Sequence, residues 1–112
     1  MQVGEIVQAL SLTVRAGREH LNREATGGYA ADLLSCAMAA ARQGDVWVTL
    51  QGHLNVIAVA SLNELAAIIV AENKPVSPEA LEKAEEEGIP ILTTGAETFE
   101  VCGRLWQLGL RA

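Results

Sequence analysis

The chain has 112 residues, half of them hydrophobic, and carries a net charge of −6. This length accommodates one domain, and this composition supplies a single aliphatic core, which excludes a disordered chain. The lysines and arginines form no cluster, so the electrostatic footprint of a nucleic-acid-binding protein is missing. We therefore expect no nucleic-acid partner.

Targeting and redox signals are also sparse. No apolar run reaches the roughly 18 residues of a membrane-spanning helix, and the first residues lack the basic run of a signal peptide. We expect a soluble, cytoplasmic protein with no membrane partner. Cys36 and Cys102 belong to no Cys-x-x-Cys pair and are interpreted as buried, reduced thiols, with a disulfide between them as the alternative.

The first half of the chain mixes helical and extended segments. Apolar residues within 2–10 recur at helical spacing and predict a first helix. Residues 11–15 alternate as in a strand, and residues 23–30 are predicted to be extended or turn-like. The Ala- and Leu-rich run 32–41 predicts a second helix with Asp32 near its start, where a carboxylate favours the helix dipole.

The second half alternates strands and helices regularly. Ser77 and Pro78 form a clear helix start, and Gly88 ends that helix. The predicted order is strand 46–50, helix 55–64, strand 66–70, helix 77–87, strand 89–93 and helix 97–108. Such alternation indicates parallel strands joined by right-handed helical crossovers. The sequence therefore predicts an α/β fold, with one three-layer α/β/α domain over residues 1–112 and a mostly parallel sheet of about five strands.

One candidate site surrounds the glycine pair. Arg23 and Thr26 stand beside Gly27 and Gly28. An arginine binds a phosphate or carboxylate in a two-pronged fashion, and the hydroxyl and glycine amides add donors. The segment matches neither standard phosphate loop. The alternative is a tight crossover of two backbones, with Arg23 bound to a neighbouring carboxylate.

A second set of polar residues follows the strand 46–50. Thr49, Gln51, His53 and Asn55 occupy every second position there. Because ligands of open parallel sheets bind beyond the carboxyl ends of strands, near a switch in strand order, we expect this set to line one site together with the glycine segment. The alternative is a helix-entry turn capped by Asn55, with solvated Gln51 and His53.

Catalytic and metal chemistry find little support. A metal site needs several ligands, and His20 is the only other histidine. Ser35, His53 and Asp32 can be drawn as a triad, but no Gly-x-Ser-x-Gly nucleophile elbow accompanies them. We therefore predict no catalytic residue, no metal and no cofactor. An enzymatic interpretation requires Ser35, His53 and Asp32 within hydrogen-bond reach of one another.

Four stretches together resemble the stand-alone DRTGG-domain proteins of bacteria and archaea: residues 22–29, 32–35, 44–51 and 87–90. Asn22 stands where the family motif has Asp, and two residues intervene between Arg23 and Thr26. The resemblance implies a regulatory or ligand-sensing α/β module that pairs as a homodimer. Related domains are embedded in long phosphotransacetylases and in CBS-containing pyrophosphatases, where adenine nucleotides regulate activity. In the pyrophosphatases the nucleotide lies mainly on the CBS modules, which this chain lacks.

Two functions follow from the residues and the resemblance. The first is a non-catalytic homodimeric sensor of a small anionic ligand such as an adenine nucleotide, which would act on a partner enzyme. The alternative is a protein-interaction subunit of a redox or metabolic complex with no small-molecule ligand. For the homodimer, a candidate interface is the apolar group near the end of the chain: Leu105, Trp106, Leu108 and Leu110. Some stand-alone members accompany iron–sulfur hydrogenase components, but a cluster normally takes four thiolates, and this chain has two cysteines.

Overall fold

A computed structural model describes residues 1–111, over which five α-helices, one short 3₁₀ helix at Arg18–His20 and five strands form a single α/β domain. The helices are α1 (Val3–Leu10), α2 (Leu34–Ala40), α3 (Leu54–Leu62), α4 (Pro78–Glu87) and α5 (Thr98–Gln107). The strands are β1 (Thr13–Ala16), β2 (Gly27–Ala30), β3 (Asp45–Thr49), β4 (Ala67–Val70) and β5 (Ile91–Thr93). The predicted fold class is confirmed.

The sheet order is β1-β5-β4-β3-β2. Strands β2 to β5 are parallel and stand in chain order, whereas β1 pairs antiparallel with β5. Each crossover from β2 to β5 therefore steps in the same direction, and right-handed connections place α2, α3 and α4 on one face. No switch in strand order occurs among the described parallel strands. The switch-point argument for a site at the end of β3 is therefore wrong.

Two hydrophobic cores lie on the two faces of the sheet. Trp47, Ile68 and residues of α3 and α4 form the core under the three crossover helices. Val46, Val48 and residues of α1 and α5 form the opposite core. All five residues of β3 are buried, and each fully buried aliphatic side chain stabilises the fold by about 1.5–3 kcal/mol. β3 and the central strand β4, both buried at every position, thus lie between the two cores.

The best-predicted helix is α4, because its limits are set by local chemistry. The Ser77 hydroxyl accepts a hydrogen bond from the Ala80 amide at 3.1 Å, and Pro78 occupies the first helical position. Gly88 ends the helix with a left-handed φ of 69°. The acidic residues 85–87 are exposed.

The start of α2 differs from the prediction. Asp32 lies before the helix, which begins at Leu34, and its carboxylate accepts hydrogen bonds from the Leu50 amide at 2.8 Å and the Thr49 hydroxyl at 3.1 Å. The carboxylate therefore joins the loop before α2 to the end of β3 instead of facing the helix dipole.

The cysteine prediction is partly wrong. Cys36 is exposed, Cys102 is partly buried, and both are free. The two residues lie on α2 and α5, on opposite faces of the sheet, so the disulfide alternative is also wrong. The longest helices of the described chain have ten residues, and none of them could cross a bilayer.

Candidate functional site

The eight predicted site residues fall at opposite ends of the sheet. Gly27 lies beside Asp45 and Ala30 beside Val48 in parallel register, so β2 and β3 begin at the same edge. The Thr26 amide donates to the Gly44 carbonyl at 2.9 Å, which places Thr26 at that amino edge. Thr49 lies five residues further along the chain than Gly44, which at about 3.3 Å per residue places it about 16 Å from the amino edge. A single site built from both sets is therefore wrong.

Arg23 holds the fold together at the amino edge. Its Nη1 donates to the Gly88 carbonyl at 2.7 Å, and its Nη2 donates to the Leu65 carbonyl at 2.8 Å. These bonds join the segment before β2 to the segments that enter β4 and β5. The crossover interpretation is therefore the better one, although the partners of the guanidinium are two carbonyls and not a carboxylate.

Gly27 and Gly28 belong to strand β2, so they do not form a phosphate loop at a helix start. The close approach occurs instead at Gly44, where an added Cβ would collide with the hydroxyl of Thr26. Gly44 also has a φ of 85°, a conformation that only glycine adopts readily. The glycine pair thus serves the sheet, and the tight turn lies at Gly44.

The turn after β3 is mainly structural. Thr49 is 1% exposed, and its hydroxyl accepts from the Gln51 amide at 3.1 Å. His53 is exposed at the N-cap of α3 without a side-chain bond, and Asn55 is exposed in the first turn. The predicted helix-entry turn is present, but Asn55 does not cap it. Gly52, which the sequence analysis missed, approaches the Pro75 carbonyl too closely for any Cβ.

The carboxyl edge carries the carboxylates of Glu72 and Asp32 together with Lys74. Glu72 accepts from the Thr98 amide at 3.0 Å and from the Thr98 hydroxyl at 2.9 Å. These two hydrogen bonds hold the pKa of Glu72 below its ordinary value of 4.5; the nearby Lys74 lowers it further, and the nearby Asp32 carboxylate opposes this weakly. Two exposed carboxylates therefore lie at this end of the sheet.

The triad geometry is missing from the described residues. No hydrogen bond there joins Ser35, His53 and Asp32, and Oδ1 of Asp32 is bonded to β3. Over residues 1–111 no group of three His, Cys, Asp or Glu side chains is arranged to hold a metal ion. The hydrogen bonding among Ser35, His53 and Asp32 that an enzymatic interpretation requires is therefore absent from the described residues.

A groove of about 230 Å³ lies between β2 and α5. Gly28 and Ala30 stand beside Val46 and Val48, which face the core under α1 and α5. Because neighbouring residues of paired strands point to the same face, β2 presents only a hydrogen and a methyl group there. The lining residues are Gly28, Tyr29, Ala30, Val48, Cys102, Leu105, Trp106 and Leu110. None of these eight described residues is charged.

Aromatic and cationic groups meet at the rim of this groove. Trp106 is 59% exposed, and the Arg111 guanidinium carbon lies 4.3 Å from the centre of its ring, a cation–π arrangement. Partial burial raises the pKa of the Cys102 thiol on the groove wall. Gly28 is the one predicted site residue found in the lining. Sequence reasoning missed the groove because its walls come from opposite ends of the chain.

The family model for the DRTGG domain matches residues 5–108. A similar solved structure contains the CBS and DRTGG domains of the regulatory region of Clostridium perfringens pyrophosphatase, complexed with the activator diadenosine tetraphosphate. Its TM-score is 0.71 at 17% identity, over 95% of this chain and 46% of that chain. The present chain thus spans about half of that neighbour, and the likeness shows the fold. No curated protein matches the chain.

Proposed function

The chain belongs to the DRTGG domain family, and from that premise we propose that it is a non-catalytic regulatory module that binds an adenine nucleotide and pairs as a homodimer. The structural neighbour is the regulatory region of an enzyme and was solved with an adenine dinucleotide. By analogy, the present module would sense a nucleotide and act on a partner enzyme. The observation that carries the ligand proposal is the groove beside β2.

The groove suits a nucleobase better than a whole nucleotide. Its volume of about 230 Å³ lies below the roughly 300–1,000 Å³ of sites that enclose a drug-sized ligand. A planar base would enter between β2 and α5 and stack on the ring face of Trp106 that the Arg111 guanidinium leaves free, because every base offers a π-face to an aromatic side chain. Ribose and phosphates would then remain outside the groove.

The charges agree with this orientation. The described lining is uncharged, as a neutral base requires, and the guanidinium of Arg111 stands over Trp106 at the rim. A guanidinium is suited to two-pronged phosphate contacts. Arg111 therefore takes the role first expected of Arg23, whose two bonds to backbone carbonyls serve the fold.

The test is calorimetric titration of AMP, ADP, ATP and diadenosine tetraphosphate into the wild type, Trp106→Ala and Trp106→Phe. Removing the indole should weaken binding by about 5- to 150-fold, the equivalent of the 1–3 kcal/mol that base–aromatic stacking contributes. Trp106→Phe should retain most of the affinity. The proposal fails if no nucleotide binds more tightly than millimolar, or if Trp106→Ala binds like the wild type.

An interaction subunit without a small ligand remains the second candidate. Phe99 is 89% exposed on α5, and its spacing of seven residues places it on the same helical face as Trp106. An aromatic pair of this kind is typical of an interface anchor. A stoichiometric partner that is lost with Phe99→Ser, together with an absence of nucleotide binding, would favour this second function.

A further inference from the structure

Helices α2 and α3 are in contact on the outer surface and contain no charged residue. Their sequences are LSCAMAA and LNVIAVASL. By contrast, α1, α4 and α5, the other α-helices of the described chain, each carry at least one acidic side chain. A helix on the surface of a protein normally has a polar face toward solvent, and one that is apolar all round is normally covered. The polar residues of α3 are Asn55 and Ser61, and its other exposed positions, Leu54, Ala58 and Leu62, form an apolar stripe.

Large apolar side chains occupy much of the outward side of these helices, beside the exposed polar residues Ser35, Asn55 and Ser61. Leu54 is 45%, Leu62 67% and Met38 49% exposed, and Ala58 is also exposed. Between the two helices runs a groove of about 320 Å³, lined by Leu34, Met38, Asn55, Ala58, Val59 and Leu62. We call this surface the α2/α3 face, defined by Leu34, Met38, Leu54, Ala58 and Leu62.

We propose that the α2/α3 face is the homodimer interface, occupied by a second copy of this chain whose α3 crosses this α3 at Ala58. The inference rests on the homodimer of the proposed function and specifies its surface. An interface on a two-fold axis must be complementary to itself. Leu54, Ala58 and Leu62 follow one another at four-residue spacing, which places them on one stripe of the helix.

That stripe is symmetric about its centre. In an antiparallel crossing, Leu54 would lie beside Leu62 of the partner subunit, and the two Ala58 methyl groups would meet at the axis. The small central residue lets the helices approach closely, and the flanking leucines enter the grooves between α2 and α3. A self-complementary pattern of this kind favours a second copy over an unrelated partner.

Charge repulsion between two copies is smallest at this face. Each chain carries a net charge of −6, so two copies repel each other wherever charged surfaces meet. The residues that define the α2/α3 face are uncharged, and the acidic residues Glu79, Glu82 and Glu86 of α4 lie beside Leu54 at its edge. A basic partner would instead be attracted to the neighbouring acidic helix α4, whose sequence is PEALEKAEEE.

The dimer should be weak because the face is small. The nine residues of α3 extend over about 14 Å. We expect two such helices to bury less than the roughly 1,200–2,000 Å² of a standard interface. Interfaces below that size are typical of weak, transient associations. We therefore expect a dissociation constant in the micromolar range and a dimer whose population depends on concentration.

Sedimentation velocity over about a hundredfold range of concentration tests the proposal. Ala58→Arg should weaken the dimer by about tenfold or more, because like charges would meet at the axis. Leu62→Glu, at a more exposed position, serves as the second variant if Ala58→Arg does not fold. The matched control, Phe99→Arg on α5, should dimerise like the wild type, and circular dichroism should show each variant folded.

Disulfide cross-linking tests the position of the two-fold axis directly. In a Cys36→Ser background, Ala58→Cys should form a disulfide-linked dimer under mild oxidation, whereas Phe99→Cys should not. A dimer that tolerates Ala58→Arg but is lost with Phe99→Arg would overturn this face and leave the proposed homodimer intact. A monomer at every concentration would overturn both, while nucleotide titration still tests the ligand proposal separately.

Discussion

Replacing Arg23 with alanine should destabilise the domain and leave nucleotide binding unchanged. The guanidinium donates to the carbonyls of Gly88 at 2.7 Å and Leu65 at 2.8 Å. Net contributions of hydrogen bonds with a charged partner are about 1.5–3 kcal/mol each. Because Arg23 is half-buried, we take the lower part of that range for each of the two bonds and expect a loss of about 3–4 kcal/mol. This is a large share of the roughly 5–15 kcal/mol that stabilises a typical domain.

Urea unfolding followed by circular dichroism measures this loss. The midpoint should fall for Arg23→Ala while the slope of the transition stays constant. Arg23→Lys should be intermediate, because an ammonium group lacks the planar fork that reaches two carbonyls. The control is Arg15→Ala at an exposed position of β1, which should change the free energy of unfolding by less than about 0.5 kcal/mol.

The result that would refute this reasoning is a reversal of the two effects. If Arg23→Ala unfolds at the wild-type urea concentration but loses nucleotide affinity, the guanidinium serves a ligand. The bonds to Gly88 and Leu65 would then be replaceable, and the amino edge of the sheet would again be the candidate site.

Two further predictions concern titratable groups. The pKa of Glu72 is lowered by its bonds to Thr98, so its stabilising effect is full above the ordinary value of 4.5 and is lost as the pH falls through the lowered pKa. Glu72→Gln should therefore flatten the acid side of a plot of unfolding free energy against pH, and an unchanged slope would contradict this. Cys36, which is exposed, should react with a thiol reagent faster than Cys102, whose pKa is raised by burial. A bound nucleotide should slow Cys102 alone, and equal protection of both thiols would argue against the groove.

Local signals account for the elements that were predicted well. Ser77, Pro78 and Gly88 fix the limits of α4 through capping and a left-handed φ, all of which are interactions between near neighbours in sequence. The apolar run that became β4 is buried at each position, as expected for a strand covered on both faces. Such features need no knowledge of the remaining fold.

Long-range pairing accounts for the features that were not predicted well. Glycine has low strand propensity, and Gly27 and Gly28 are in a strand because β2 pairs with β3. The order of strands, which removes the expected switch point, is likewise absent from local patterns. Arg23 resembled a ligand contact since its two carbonyl partners are distant in sequence. The groove at Trp106 is formed by α5 and β2, which are far apart in the sequence.

Nucleotide titration of Gly28→Val tests the ligand groove most directly. A Cβ at Gly28 would meet only the Val46 carbonyl, at 3.7 Å, an ordinary contact, so the variant should fold while its side chain fills the groove. Gly103→Ala on α5 is the matched control, because a Cβ there has no described neighbour within 4 Å. We predict that calorimetry will show nucleotide binding by the wild type and Gly103→Ala and its loss in Gly28→Val. Wild-type affinity in a folded Gly28→Val protein would contradict the assignment.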